Sequence, residues 1–517
     1  MYNDDDCPMS KLASEGVAGV CEELKVAAED WASANGLLVR NGEGFGTCPV
    51  TLVPSAFPRD VYLEAREIAP IFNRLVDRVS RDLSWLLETL SATGAGDDFI
   101  KKQMDIMKEV YLNSGVNGGE KVQSAYLGCH RSDYMVHHAP EGEKKVPIFP
   151  SARGEPQGRF LQVEFNTIAS SFGSLSNKTS LLHRYLCTRH GDLVQRYYKS
   201  IGKNIGLPES SSMPNTANIQ VLCEGMARAF DHYVGQRGLD RSSCSAYIVF
   251  VVSDGERNSV DQRMLEYELW ETYGIPVLRR SLTNISASAR IDTSSNQEPV
   301  LYADQGQKEV AVVYYRDGYS PDAYPTQKEW DARLLIERSY AIKCPSIPYH
   351  LVGAKKVQQA LAVDGVLEKF LNPEESKRIR QCFAGLYGLT DPAIAAAIES
   401  PEHFVLKPQR EGGGNNVYGE DIPKVLPKLS QTERDAYILM QRIFPVAQKS
   451  LFLLKSGEVK TVQSLSELGI YSAFLGDSTN EYLNKTGGHL LRTKAEGMDE
   501  GGVASGYAVI DSPYLVD

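Results

Sequence analysis

No two cysteines of this chain stand in a Cys-x-x-Cys. The nine that occur, at 7, 21, 48, 129, 187, 223, 244, 344 and 382, are scattered and odd in number. That argues against a disulfide framework or a Cys-ligated zinc site, and reads as reduced, mostly buried thiols of a cytosolic protein. The histidines include His137-His138 but no His-Glu-x-x-His, and neighbouring side chains on one element point in different directions. Positive charge is not in excess. The net charge is -11 and the pI is near 5.5, which argues against a nucleic-acid-binding surface. The longest apolar run, residues 246–252, is far too short to span a bilayer. Residues 1–6 are acidic and without an apolar core, so they do not read as a signal or transit peptide. No internal repeat, coiled coil or low-complexity tract is visible.

What the chain does contain is ordinary globular material in quantity. With 42% hydrophobic and 23% charged residues, 517 residues suffice for two or more domains around a large core. The N-terminal third reads as largely helical. Over residues 59–90, Phe72, Leu75, Val76, Val79, Leu83 and Leu86 recur at three- and four-residue steps, which predicts one core-packing helix. The middle changes character. Residues 246–253 form a continuous β-branched and aromatic run, followed by a helical pattern at about 259–273 and by strand signals at 275–278 and 309–315. Short buried strands separated by a helix predict a βαβ unit with a parallel sheet, and in such sheets ligands bind beyond the carboxyl ends of the strands. Those ends carry Glu256-Arg257-Asn258 and Arg316-Asp317-Gly318-Tyr319. The stretch 291–308 reads as turn or loop. The last third alternates strand signals at 404–407, 437–440, 459–464, 490–494 and 507–510 with turns, among them the hairpin signal Lys455-Ser456-Gly457-Glu458.

Three constellations carry chemistry. The first is Lys407-Pro408-Gln409-Arg410-Glu411-Gly412-Gly413-Gly414-Asn415-Asn416. Consecutive glycines let backbone N–H groups approach an anion with no Cβ in the way. Lys407 and Arg410 can balance phosphate charge, and Glu411 and Asn416 are hard oxygen donors of the kind Mg2+ prefers. No Gly-Lys-Ser/Thr closes the run, so it is not a P-loop, and a mobile surface loop is the plain alternative. The second is Glu164-Phe165-Asn166-Thr167-Ile168, followed by Ser170-Ser171-Phe172-Gly173. On a strand, Glu164 and Asn166 project to one face, where Glu411 can complete a cation site. The third is Leu491-Arg492-Thr493-Lys494, two cations on one strand face, with a close-approach loop at Gly501-Gly502-Val503-Ala504. Arg131 and Lys355 can join them. Each set taken alone also fits an ordinary solvated loop or strand face.

Ten segments, in order, resemble the eukaryotic glutathione synthetase family. They are Lys407 through Glu420, Val163-Glu164-Phe165-Asn166-Thr167-Ile168, Leu490 through Lys494, Gly128-Cys129-His130-Arg131-Ser132-Asp133-Tyr134, Glu256 through Arg263, Tyr315 through Tyr319, Lys343-Cys344-Pro345, Lys355 through Gln359, Phe383 through Tyr387, and Ser466-Glu467-Leu468-Gly469. The resemblance covers about residues 20–517. It implies an α/β protein with α+β elements: an ATP-grasp-type fold with a helical N-terminal region, a parallel-sheet substrate domain permuted into the middle of the chain, and a glycine-rich lid. The implied divisions are 1–243, 244–348 and 349–517, with the lid at about 400–465. It further implies a cytoplasmic, homodimeric ligase that joins γ-glutamylcysteine to glycine and cleaves ATP to ADP and phosphate, with Mg2+.

Position by position, Glu164, Asn166 and Glu411 correspond to magnesium ligands. Lys355, Lys407, Glu411, Gly412, Gly413, Gly414, Asn415, Asn416, Tyr418, Met440, Gln441, Arg442, Ile443, Glu467, Lys494 and Glu500 correspond to ATP contacts. Arg131, Ser171, Glu256, Asn258, Gln262, Arg316, Tyr319, Arg492, Val503 and Ala504 correspond to substrate contacts. Lys355, Lys407 and Arg492 are the implied catalytic cations. The segment Met440-Gln441-Arg442-Ile443 departs from the family, where Glu often follows the Met; backbone contacts to adenine survive that change. Residues 1–20 and 282–308 are unmatched. Two alternatives stay open: a ligase that takes β-alanine or serine, with Val503-Ala504 at the deciding position, and a non-catalytic ATP-binding protein on the same fold. The intact Lys407, Glu411, Glu164 and Arg492 argue against the second.

Overall fold

The β-branched run in the middle of the chain becomes the centre of a sheet. In the computed structural model, which describes residues 8–112, 123–138, 159–203, 205, 210–293, 298–411, 415–498, 503 and 508–517, strand Tyr247–Val251 pairs in parallel with Val277–Arg280 and with Lys308–Tyr315. Lys308–Tyr315 pairs in parallel with Ile342–Cys344, and helix Ser259–Tyr273 makes the crossover. The βαβ expectation is borne out. Ile248, Phe250, Val310, Val312 and Val313 are buried, as strands covered on both faces require.

The loop expected at 291–308 is overturned. Arg290–Asp292 and Val300–Ala303 are strands that extend this sheet antiparallel at its edge. Such edge strands are short and bury little, here chiefly Val300, Leu301 and Ala303, so their apolar signal is lost among turn residues.

The single helix expected over 59–90 is two helices, Arg59–Arg81 and Leu83–Gly96. Asp82 divides them by accepting from the Trp85 backbone N–H at 3.0 Å, the action of a carboxylate N-cap. Helix Asp98–Met107 is capped likewise by Asp97, which accepts from Phe99 and Ile100.

A seven-stranded sheet joins the two ends of the chain. Arg159–Asn166, Tyr126–His137, Val459–Gly476, Glu481–Ala495 and Ala508–Asp511 lie side by side, each antiparallel to the next. Alternation sorts their side chains. Tyr134, Phe165, Leu468, Ile470 and Leu491 face a core shared with Phe72, Leu75, Val76 and Val79 of helix Arg59–Arg81. The expected hairpin is present between Gln448–Leu453 and Val459–Gly476, with Gly457 at φ +80°. A separate four-stranded sheet, Leu386–Tyr387, Tyr437–Gln441, Phe404–Pro408 and Val417–Tyr418, packs its own core around Phe404, Leu406, Ile422, Leu426 and Leu439. No helix among the described residues is long and apolar enough to cross a membrane.

Candidate functional site

The same alternation that buries Phe165 and Leu491 turns polar residues to the opposite face of the seven-stranded sheet. Register aligns Glu164 with Asp133, Asp133 with Gly469, Asn166 with Arg131, and Glu467 with Arg492. Adjacent strands thus present Glu164, Asn166, Arg131, Asp133, Glu467 and Arg492 together, with Lys494 one step further along. Other elements close over this surface. Lys355 opens helix Lys355–Leu361, Lys407 lies on strand Phe404–Pro408, and Glu411 follows that strand.

The two acids expected at a cation site do meet. Lys355 Nζ donates to Glu164 Oε2 at 2.9 Å and to Glu411 Oε1 at 3.0 Å. Burial alone would raise the Glu164 carboxyl, but Lys355, Lys407 and Arg492 hold it well below the usual carboxylate range. Glu411 goes the other way. Burial pushes it up, Lys355 offsets part of the rise, and Glu164 adds to it. Two acids around one ammonium compete for it, and Glu164, with more cations at hand, keeps its charge. Asn166 Nδ2 donates to Arg131 O at 3.2 Å and to Asp133 Oδ2 at 3.0 Å, which leaves the amide oxygen as its acceptor. Two carboxylates and an amide oxygen are hard donors. They fit Mg2+, which takes one or two carboxylates together with phosphate oxygens and water.

Two lysines stand beside these acids. Burial works against the Lys355 ammonium, but Glu164 and Glu411 raise its pKa. Burial brings Lys407 down to about 8 although Glu164 pulls upward. Lys407 Nζ donates to Val163 O at 3.1 Å, so a residue of the four-stranded sheet holds the seven-stranded one. Beside this bridge Met440 packs with Leu161 and Ala384, flanked by Leu386 and Ile443, an apolar cluster between the same two sheets. Gln441 is half-buried there, its Oε1 accepting from Gly385 N at 3.0 Å, and Arg442 stacks its guanidinium 5.8 Å from the Phe444 ring. Asn416 Nδ2 donates to Tyr418 OH at 3.1 Å.

Arg410 departs from the expectation that it balances phosphate. Its Nη1 pairs with the carboxylate of Asp97, while Gln409 Oε1 accepts from Lys356 N at 3.1 Å. The chain leaving strand Phe404–Pro408 is therefore strapped to two helix N-termini. Gly412, Gly413, Gly414, Glu500 and Ala504 lie outside the described residues; Val503 is buried in the main hydrophobic core.

A second polar cluster forms where residues 169–173 meet the carboxyl ends of the parallel sheet. Arg316 donates to Ser170 O at 3.3 Å, Ser171 Oγ at 2.9 Å and Asp261 Oδ2 at 3.3 Å. Glu256 accepts from Asn258 N at 2.7 Å and from Gln262 Nε2 at 2.8 Å. Arg131 Nη1 reaches Ser171 O at 3.2 Å, and Tyr471 OH donates to the same carbonyl. Tyr319 stands half-buried three residues after Arg316. Ala169 and Phe172 sit at φ 52° and 72°, left-handed backbone that costs a non-glycine residue about 1–3 kcal/mol. Asp261 holds the loop there by accepting from the backbone N–H groups of Phe172, Ser174 and Leu175 at 2.9, 2.8 and 3.2 Å. Buried polar atoms without a protein partner gather here, namely Arg316 Nε, Asn258 Oδ1 and Ser170 Oγ. Such atoms are able to take a polar partner.

Sequence reasoning missed Asp133 and Asp261, both fully buried. Each stood inside a segment already singled out. The signal for Asp133 was its place two residues after Arg131 on a strand, hence on the same face.

The description "Eukaryotic glutathione synthase, ATP binding domain" matches residues 19–515. The chain is 42% identical to a chloroplastic glutathione synthetase of Solanum lycopersicum, covering 94% of this chain and 83% of that protein. It is 40% identical to the glutathione synthetase of Homo sapiens, covering 96% and 97%. It is 37% identical to that of Dictyostelium discoideum, covering 95% and 98%. Among solved structures it is similar in fold, with a TM-score of 0.71 at 24% identity over 96% of each chain, to a glutathione synthetase-like effector of Globodera pallida in apo form. That likeness accords with the expected ATP-grasp-type α/β architecture. With a match that runs from near one end to near the other, the chain belongs to the eukaryotic glutathione synthase family of ATP-dependent ligases.

Proposed function

We propose that this chain is a glutathione synthetase that activates the C-terminal carboxylate of γ-glutamylcysteine with ATP and joins it to glycine. The observation that supports this most is the meeting of Glu164 and Glu411 at Lys355, beside Lys407 and Arg492, on one face of the sheet. A carboxylate is a poor acyl electrophile. Attack of its oxygen on the γ-phosphorus of ATP releases ADP and gives an acyl phosphate. The neutral amine of glycine then forms the C–N bond, phosphate leaves with the C–O electron pair, and the amine proton passes to solvent. The protein's part is positioning and charge neutralisation. Lys355, Lys407 and Arg492 offset charge on the transferring group. Glu164, Asn166 and Glu411 would hold Mg2+, which when bound neutralises phosphate oxygens. Glu256 suits the ammonium of the glutamyl end and Arg316 its carboxylate, with Asn258, Gln262, Ser171 and Tyr319 around them.

The location proposed is the cytoplasm and the assembly a homodimer. The reduced state of the thiols supports the first; eight cysteines among the described residues are free. Phosphate release assayed with ATP, γ-glutamylcysteine and glycine, alone and together, tests the reading. Release that needs both organic substrates is expected. Release unchanged when either is omitted, or faster with β-alanine or serine than with glycine, overturns it.

A further inference from the structure

We propose that Asp133 is a positioning residue that locks the peptide-facing arginines and the amide of the cation site into one unit. The proposal rests on the functional reading above. Asp133 is fully buried, and its two oxygens take four donors. Oδ1 accepts from Arg131 Nε at 2.6 Å; Oδ2 accepts from Arg131 Nη2 at 2.8 Å, Asn166 Nδ2 at 3.0 Å and Arg492 Nη2 at 3.1 Å. Arg131 and Arg492 are like charges brought together by strand pairing, and Glu467 pairs with Arg492 as well. The carboxylate between them removes their repulsion. By taking one edge of Arg131 and one N–H of Arg492, it also fixes where the remaining N–H groups point.

The same Oδ2, together with the Arg131 carbonyl oxygen at 3.2 Å, orients the amide of Asn166. As long as it accepts from Nδ2, the Asn166 oxygen is turned away from Asp133 and available to a cation. A neutral side chain at 133 leaves the Arg131 carbonyl as the stronger of that amide's acceptors and weakens the hold that keeps its oxygen, rather than its NH2 group, toward a cation. The room for this carboxylate comes from its strand partner Gly469. A Cβ on Gly469 would stand 2.6 Å from Asp133 Oδ1 and 2.8 Å from Arg131 Cδ. One acid thus serves both the peptide end and the metal end, and disturbing it weakens both.

The test uses the full-length protein with Asp133→Asn, and with Gly469→Ala as a second variant that displaces the carboxylate without removing its charge. Three quantities are read: the Kd for γ-glutamylcysteine by calorimetry with neither nucleotide nor metal, the Mg2+ concentration giving half-maximal glutathione formation, and the melting temperature of the unliganded protein. In any variant that melts cooperatively, the Kd and the Mg2+ requirement are expected to rise together by roughly 10- to 100-fold, the usual scale for a group that orients a metal ligand. A change confined to the melting temperature, or a rise in one constant without the other, overturns the role. Wild-type protein that makes no glutathione overturns the functional reading itself, whereas an active wild type with unshifted variants overturns only the assignment of Asp133.

Discussion

Arg410 pairs with Asp97, so the residue two places ahead of the glycine run is tied to the N-terminus of helix Asp98–Met107. Asp97 acts twice: Oδ1 caps the helix and Oδ2 takes the guanidinium. The two actions separate by substitution. Asp97→Ser keeps a cap and loses the ion pair, whereas Asp97→Ala loses both. The serine variant is expected to melt near wild type and to show a raised KM for ATP. The alanine variant is expected to lose about 1 kcal/mol more stability. Thermal melts and ATP saturation curves check this; an ATP KM unchanged in Asp97→Ser would show that the tie does not steer the loop.

Arg492 stands between Glu467 and Asp133 on the polar face of the sheet. Arg492→Ala is expected to lower kcat/KM by about 2–4 kcal/mol in transition-state terms, the cost of one lost preorganised donor. Steady-state kinetics with a near-wild-type kcat/KM would refute that role.

Lys407 gives the pH dependence. Its ammonium titrates near 8 in the folded chain against an ordinary 10.5, because burial disfavours the charged form. The charged form is present below pH 8 and is lost above it. The kcat/KM for ATP should therefore fall as pH rises through about 8. Bound phosphates favour the ammonium, so the falling limb in kcat should lie at higher pH. The sign for stability is opposite to that for activity. Between the two pKa values the unfolded chain holds the extra proton, so this group's contribution to stability rises with pH. Lys407→Arg should abolish the limb if Lys407 causes it.

Glu164 is the first of the acids that keep Lys407 charged, and Glu411 is the last and weakest. Glu164→Gln is expected to move the falling limb to lower pH, and Glu411→Gln to move it less. Profiles of kcat/KM against pH for the two variants check the order; a larger shift in Glu411→Gln would contradict it.

Much of this was legible without coordinates, for reasons that differ between elements. The strand Tyr247–Val251 is buried on both faces, so its apolar run alone identifies it. Glu164 and Asn166 needed only the two-residue period of a strand. The break at Asp82 was hidden because Leu83 and Leu86 continue the helical spacing of the preceding turn while the backbone starts again. Arg410 was misjudged because its charge matched the chemistry of the run it sits in, and its partner Asp97 lies far away in the chain. Asp133 and Asp261 escaped for a related reason. A buried acid is explained by its donors, and apart from Arg131, two residues before Asp133 on its own strand, the donors cited here arrive from strands and loops whose pairing no local pattern encodes.

Lys407 grows from the four-stranded wall and grips a main-chain oxygen on the seven-stranded one. Prising the walls apart strips a buried positive charge of its acceptor, so the protein without nucleotide resists gaping. A triphosphate brings oxygens that can replace that grip. On the reading proposed above, a nucleotide entering here would loosen this clasp and its departure would restore it.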